Sequence, residues 1–323
     1  MVNEEKILQV NILVHNTDRL DFTTRAIDEI KKIKNKTGVI IVICFSNNHE
    51  ASIWKEKSSE LISSGLSSID VCLDKNDETG TNYLNKIKYL INSEYRYSCS
   101  MDDDILISSY LWDYVIDNLE ILNNEKNLFI APLISNGIPS VDLFIEDFCT
   151  TDEKESLHST FIDTRIENLW GANYEVLNKE RKTWGIDFYN DVKKINHHYK
   201  GIHPVRVSID AHNKLAEYIC KNPKRLLEKN EYRMEILKFP YFCNSFYFIK
   251  TETWKKIIED SSLFRDSYDE VPLNLYMEKN DLHMVFIRNG FCLHMAYNTI
   301  NTPDRTHQKE VESYYKINLI DKI

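Results

Sequence analysis

"YRYSCSMDDDILISS" occupies residues 95–109 and sets three consecutive acids, Asp102, Asp103 and Asp104, between two apolar runs. Neighbouring carboxylates repel, and ionising one raises the pKa of the next. Two readings compete. Aspartates ahead of a helix accept hydrogen bonds from its free N–H groups and suit the positive end of its dipole. Capping accounts for one acid well and two at most, and it leaves a third beside a buried strand. A divalent cation removes the conflict, because Mg2+ and Mn2+ take oxygen ligands and commonly use one or two carboxylates with substrate phosphates. Asp102 and Asp104 stand at i and i+2; on an extended segment they point to one side and address one ion together.

Outward from the acids, the first 134 residues alternate between two periods. Strand-like runs are "ILQVNILV" (7–14), "GVIIVICF" (38–45), "IDVCL" (69–73), "YRYSCSM" (95–101) and "NLFIAPLI" (127–134). Helical stretches separate them: 18–34, with Leu20, Ala26, Ile27, Ile30 and Ile33 on one stripe, 51–65, closed by glycine, 82–91 and 111–122. Strands joined by helix-length segments predict βαβ units and a mainly parallel α/β sheet with helices on both faces. Ligands of such sheets bind beyond the carboxyl ends of the strands, where the acids fall.

From 135 to 240 the pattern is less regular. "NGIPSVD" (136–142) is turn-rich, "FIEDFCTTDEKESLHSTF" (144–161) is acidic and helical, and "INHHYKGIHP" (195–204) breaks the chain. "NPKRLLEKNEYRMEILK" (222–238) reads as a basic helix, solvated or lying on an anionic membrane surface. Order returns with a strand at 241–250, a helix at 251–260, the acidic "YDEVPLNLYMEK" (268–279), two short strands, "HMVFIRN" and "FCLHMAY", and a polar tail at 298–310 read as solvated. The second half builds onto the first as one domain.

The chain has 323 residues, 42% of them hydrophobic and 28% charged, which suits a soluble globular protein. No run reaches the ~18 apolar residues of a membrane span, and "MVNEEKILQV" lacks the basic flank of a secretory signal. The expected location is cytoplasmic, with at most peripheral contact at the inner membrane face. A formal charge of −10 argues against nucleic acid as the partner. Seven cysteines lie scattered with no C-x-x-C pair, as expected of reduced core thiols. His197, His198 and His203 fit no common zinc spacing.

Taken with their surroundings, the acids bring a resemblance. "VNILVHNTDRLDFTTRAIDEI" (10–30) resembles the opening strand, loop and helix of family-2-like glycosyltransferases. "TGTNYLNKIKYLINSEYRYSCSMDDDI" (79–105) is similar to their glycine, asparagine-bearing helix, fourth strand and D-x-D signature. "FRDSYDEVPLNLYMEKNDLHMVFIRNGFCLHMAYNT" (264–299) looks like their closing block, with an acidic pair opening a helix, a hairpin around a glycine and a histidine on the last strand. Order and spacing fit across 1–134 and 241–298; the middle hundred residues have no counterpart.

The resemblance implies a GT-A (Rossmann-like) fold with a nucleotide-sugar-binding half at 1–134 and an acceptor-binding half at 135–323. It implies a UDP- or GDP-type donor and a glycan or lipid-linked acceptor. Asp102, Asp104 and His294 would hold Mn2+ or Mg2+, with Asp103 beside the donor. Glu270 would be the catalytic base, with Asp269 one residue earlier. His15, Thr17 and Arg19 would meet the nucleotide, Asn85 would lie on the donor side, and Ser46 and Asn47 would reach the base. The family often ends its second strand in an acid and closes on Glu–Asp, whereas this chain has "ICFSNN" and Asp–Glu. The implied reaction is an inverting sugar transfer. A retaining transferase, a nucleotidyltransferase and a non-catalytic sugar- or nucleotide-binding module are the alternatives.

Overall fold

The computed structural model describes residues 5–14, 20–45, 51–72, 92–163, 203–239, 241–243, 245–263, 270–295 and 306–323. The amino-terminal part alternates β1 (Leu8–Leu13), α1 (Leu20–Lys31), β2 (Val39–Phe45), α2 (Ala51–Ser63), β3 (Ser67–Cys72) and β4 (Tyr97–Asp102). A short β5 (Ile105–Ile107), α3 (Ser109–Asp117) and β6 (Asn127–Ile134) follow. Beyond them come α4 (Ser140–Phe148), α5 (Thr151–Asp163), α6 (Pro204–Val207), α7 (Ile209–Lys221), α8 (Lys224–Leu227), β7 (Arg233–Leu237) and β8 (Phe246–Lys250). The chain closes with α9 (Thr251–Glu259), α10 (Glu270–Lys279), β9 (His283–His294) and α11 (Thr306–Asn318).

Among the described residues the strands form one nine-stranded sheet in the order β3-β2-β1-β4-β8-β6-β9-β5, with β7 also on β9. Strands β1, β2, β3, β4, β6 and β9 run one way, and β5, β7 and β8 run against them. The sheet is mainly parallel, as the alternation predicts. Both faces are covered, which is why its strands read as nearly unbroken apolar runs. Leu8, Val10 and Ile12 of β1 pack with Ala26, Ile27 and Ile30 of α1 on one face. Leu133 of β6 and Phe286 of β9 pack with Phe144 of α4 and Leu215 of α7 on the other. Each such large apolar side chain, fully buried, contributes about 1.5–3 kcal/mol.

Several expectations are corrected. The 222–238 segment is no basic helix. Only Lys224–Leu227 is helical, and Arg233–Leu237 pairs antiparallel with β9. Backbone pairing to an existing strand outweighs local helix propensity here, and the Arg and Glu side chains suit an exposed edge. The acidic stretch 144–161 is two helices, broken at Cys149. Thr150 and Glu153 form a reciprocal capping box, Thr150 N donating to Glu153 Oε2 (2.9 Å) and Glu153 N to Thr150 Oγ1 (3.4 Å). The 111–122 helix stops at Asp117 and continues as a 3-10 turn, Leu119–Asn123. Of the tail at 298–310, residues 298–305 lie outside the described residues and Lys309 and Glu310 are exposed, as expected; beyond it Val311 and Tyr315 of α11, with Leu319 just after, are buried in the core.

The expected closing hairpin is a single strand, β9, with a bulge. Ile287 pairs with Pro132 and Phe291 with the next residue, Leu133, so Arg288, Asn289 and Gly290 are extra. Asn289 adopts a left-handed φ of 59°. A Cβ on Gly290 would sit 2.7 Å from Ile287 Cγ2 and 3.0 Å from its carbonyl oxygen, so glycine alone fits. Arg288 is buried and pins the bulge. Its Nε donates to Asp147 Oδ2 (2.8 Å), and Nη2 to Asp147 Oδ1 (2.5 Å) and Glu146 Oε2 (2.8 Å). Its Nη1 donates to Glu235 Oε2 (2.7 Å), and Asn289 N closes the ring on Asp147 Oδ2 (2.9 Å).

Among the described residues no helix is long and apolar enough to cross a membrane. Cys44, Cys99, Cys149, Cys243 and Cys292 are buried free thiols, and Cys220 is a half-buried one. Burial pushes the Cys149 thiol up to about 12, far from thiolate chemistry.

Candidate metal centre

The capping reading of the acids fails on the chain's course. The helix after them starts at Ser109, and its cap is Ser108, whose Oγ accepts from Leu111 N at 3.2 Å. Glu29 of α1 accepts from Ser109 N at 3.2 Å, so this helix end is satisfied without Asp102, Asp103 or Asp104. Strand β5 intervenes instead. It was not foreseen in the sequence, and it is what brings the site together.

Asp102 is the last residue of β4, in register with Leu13 of β1, which is itself level with Cys44 of β2. The acids therefore lie at the carboxyl end of three adjacent parallel strands. Asp102 N donates to Ser245 O (3.1 Å) and Asp103 N to Leu13 O (3.2 Å), fixing the backbone where β4 ends. Asp103 and Asp104 form a turn rather than the extended segment assumed above. The chain then reverses into β5, which pairs antiparallel with β9 so that Ile105 faces His294. Met295 N donates to Asp104 O at 3.0 Å, locking the two segments together.

This register delivers the histidine to the acids. His294 Nε2 lies 3.2 Å from Asp104 Oδ1 and 3.9 Å from Asp102 Oδ2. One ligand atom from each of Asp102, Asp104 and His294 falls within 4.8 Å of the others, and no other such group converges among the described residues. The Asp104 side chain is fully buried, His294 is 11% exposed and Asp102 is 23% exposed, so one acid faces solvent above two enclosed groups. Asp103 is wholly buried and stands outside the trio.

His294 Nδ1 is 2.9 Å from Asn136 Oδ1, an atom that can only accept. With Nδ1 donating to Asn136, Nε2 is the nitrogen turned toward the two carboxylates, as the N–H of an imidazolium or, in the neutral ring, as a lone pair. Carboxylates and a ring nitrogen this close need a positive charge between them, either a proton on Nε2 or a bound cation. Two carboxylates and an imidazole are ordinary ligands of a divalent first-row ion. The donor set thus fits the metal expected for this site.

The remaining candidates divide plainly. His15, Thr17, Arg19, Ser46, Asn47, Asn85 and Asp269 lie outside the described residues, as do the helix at 82–91 and His197 and His198. Glu270 opens α10, but its side chain is also outside the description. That helix is tied to the acid rim. Asn274 of α10 takes Phe242 N on Oδ1 (2.7 Å) and gives Nδ2 to Phe242 O (2.9 Å), three residues before the Ser245 carbonyl that holds Asp102.

Three nearby residues escaped the sequence reading. Asn136 opens the turn-rich 136–142 stretch and Ser135 precedes it; Ser135 Oγ accepts from His294 N at 3.3 Å. His212 of α7 is buried beside Tyr315. Burial drives its imidazole down to about 3, the neighbouring His294 acts the same way, and a hydrogen bond to the Val205 backbone opposes both. It stays neutral at any physiological pH. His203, in the segment expected to break the chain, is buried with Nδ1 accepting from Val205 N (3.1 Å) and Nε2 3.3 Å from Asp142 Oδ1.

No family model and no curated protein matches the chain. Among solved structures it is similar to a crystal structure of GalNAc-T7 with UDP, GalNAc and Mn2+. Identity is 8% and the TM-score 0.44, with 96% of this chain and 48% of that chain covered, so the chain spans about half the length of the protein it matches.

Proposed function

We propose that the chain is a metal-dependent glycosyltransferase that moves a sugar from a nucleoside-diphosphate donor to a hydroxyl of a glycan or lipid-linked acceptor. The observation that carries this reading is the meeting of Asp102, Asp104 and His294 at the carboxyl edge of the parallel strands. Of the two hard ions, Mn2+ suits a set that includes an imidazole nitrogen better than Mg2+ does. A bound ion would draw charge from the departing diphosphate as a Lewis acid. Residues 1–134 would seat the donor and 135–323 the acceptor.

The chain's own groups would do the rest. Asp102, the least buried of the three, would hold the ion together with Asp104 and His294 and would be the acid nearest an incoming diphosphate. Glu270 is our candidate base. As the acceptor oxygen bonds to the anomeric carbon, the bond to the diphosphate breaks and the hydroxyl proton passes to the carboxylate. The sugar inverts, and nucleoside diphosphate leaves. Asn274 ties α10, which Glu270 opens, to the segment whose Ser245 carbonyl holds Asp102.

The test is a thermal-shift panel of nucleoside diphosphates and nucleotide sugars, with and without Mn2+. A ligand at ~100 times its dissociation constant adds roughly 2.7 kcal/mol of stability. We expect a shift with one nucleotide family, present only with Mn2+. No shift with any member sinks the reading, and release of pyrophosphate during turnover would point to nucleotidyl transfer instead. Glu270→Gln should lower transfer by about 100-fold or more while leaving the Mn2+-dependent shift intact. Equal loss of both would remove Glu270 as the base, and undiminished transfer would favour a retaining reaction.

A further inference from the structure

Asn136 is the polar side chain that faces the hidden nitrogen of His294. It is 5% exposed and sits between β6 and α4 in a turn held from several sides. Gly137 N donates to Ile134 O (3.3 Å), Val141 N to Gly137 O (2.7 Å), and Ser140 Oγ accepts from Ile134 N (3.2 Å) while donating to Gly137 O (3.1 Å). A Cβ on Gly137 would lie 2.9 Å from Ile134 Cβ, so the residue after Asn136 must be glycine for the turn to close. Ser135 N donates to Cys292 O and Ser135 Oγ accepts from His294 N, which carries the turn along β9 to the histidine. The loop is thus built onto the strand that it serves.

We propose that Asn136 is a positioning residue for the metal centre: through Nδ1–H···Oδ1 it selects the His294 tautomer that presents Nε2 to the ion beside Asp102 and Asp104. This rests on the metal-dependent reading above. A histidine ligand needs its second nitrogen protonated and anchored, and loss of such an anchor typically costs 10–100-fold in metal affinity. An amide supplies the acceptor without adding a further negative charge to a rim that already holds three acids. An aspartate here would keep the hydrogen bond and make the imidazole a stronger donor.

The experiment measures Mn2+ binding by electron paramagnetic resonance, with Mn2+ alone and with UDP or GDP added, on the full chain. Asn136→Ala should bind Mn2+ about 10–100-fold more weakly, and Asn136→Asp should bind as tightly as the unaltered protein or more so. Nitrogen-15 shifts of labelled histidines in the metal-free protein, in alkaline buffer, supply a second readout. His294 should be protonated at Nδ1 in the unaltered protein and in Asn136→Asp, and should shift toward Nε2 protonation in Asn136→Ala. Unchanged Mn2+ affinity in Asn136→Ala, or an Nε2-protonated His294 in the unaltered protein, overturns the proposal even if the alanine variant folds poorly. Absence of any Mn2+ binding by the unaltered protein, with or without nucleotide, overturns the metal reading itself.

Discussion

Asp104→Asn is expected to keep the fold and lose the response to Mn2+. The new side chain has the shape of the old one, and its Nδ2 can take the position 3.2 Å from His294 Nε2 as a donor where a carboxylate oxygen stood. With a neutral imidazole the amide donates where a carboxylate oxygen could not, so the metal-free protein in alkaline buffer should stay within about 1 kcal/mol of its original stability. Metal binding should fall by at least about 100-fold, the upper end of what is lost when a group that merely orients a ligand is removed. Transfer should fall with it. Unfolding followed with and without Mn2+ separates the two effects. Unaltered Mn2+ stabilisation in this variant would take Asp104 out of the centre.

The second large effect lies away from the site. Arg288→Met should destabilise the protein by about 3–5 kcal/mol, the usual result of leaving one partner of a buried ion pair alone. Asp147 would be stranded: its side chain is 9% exposed and gives both oxygens to Arg288. Burial works against the Asp147 charge. The Arg288 hydrogen bonds and the Asn289 N–H outweigh it and hold the carboxyl below its usual range. A depressed carboxylate stabilises fully above the unfolded value of about 3.9 and loses that contribution as pH falls through the lower folded value. The gap between the two proteins in urea unfolding should therefore be widest near neutrality and narrow in acid. A constant gap across that range would show that packing, not charge, is what Arg288 supplies.

The sheet could be read from the sequence because strands covered on both faces leave long apolar runs, and helices leave a stripe. "VIIVICF" and "NLFIAPLI" are strands where expected, and the Ile27 and Ile30 stripe of α1 is buried. The acids and His294 were visible as chemistry, and the structure brings them together. Connections that depend on distant partners left no such trace. Arg233–Leu237 has a helix former's composition and becomes a strand only because β9 offers its backbone. Ile105–Ile107 is too short for periodicity to register. Asn136 looked like any turn residue, because the imidazole that gives it meaning stands 158 positions away.

The three extra residues of β9 also set which side of the sheet its last residues face. Along a pleated strand odd and even positions take opposite sides. Met284 and Phe286 share a side with Phe291 and Leu293 only because an odd number of residues loops out between them. His294 stands on the reverse side from Leu293, with Cys292. Shorten or lengthen Arg288–Gly290 by a single residue and the imidazole turns to the wrong flank, with every ligand still present in the sequence. The number of residues in the bulge, as much as their identity, decides which flank the imidazole takes.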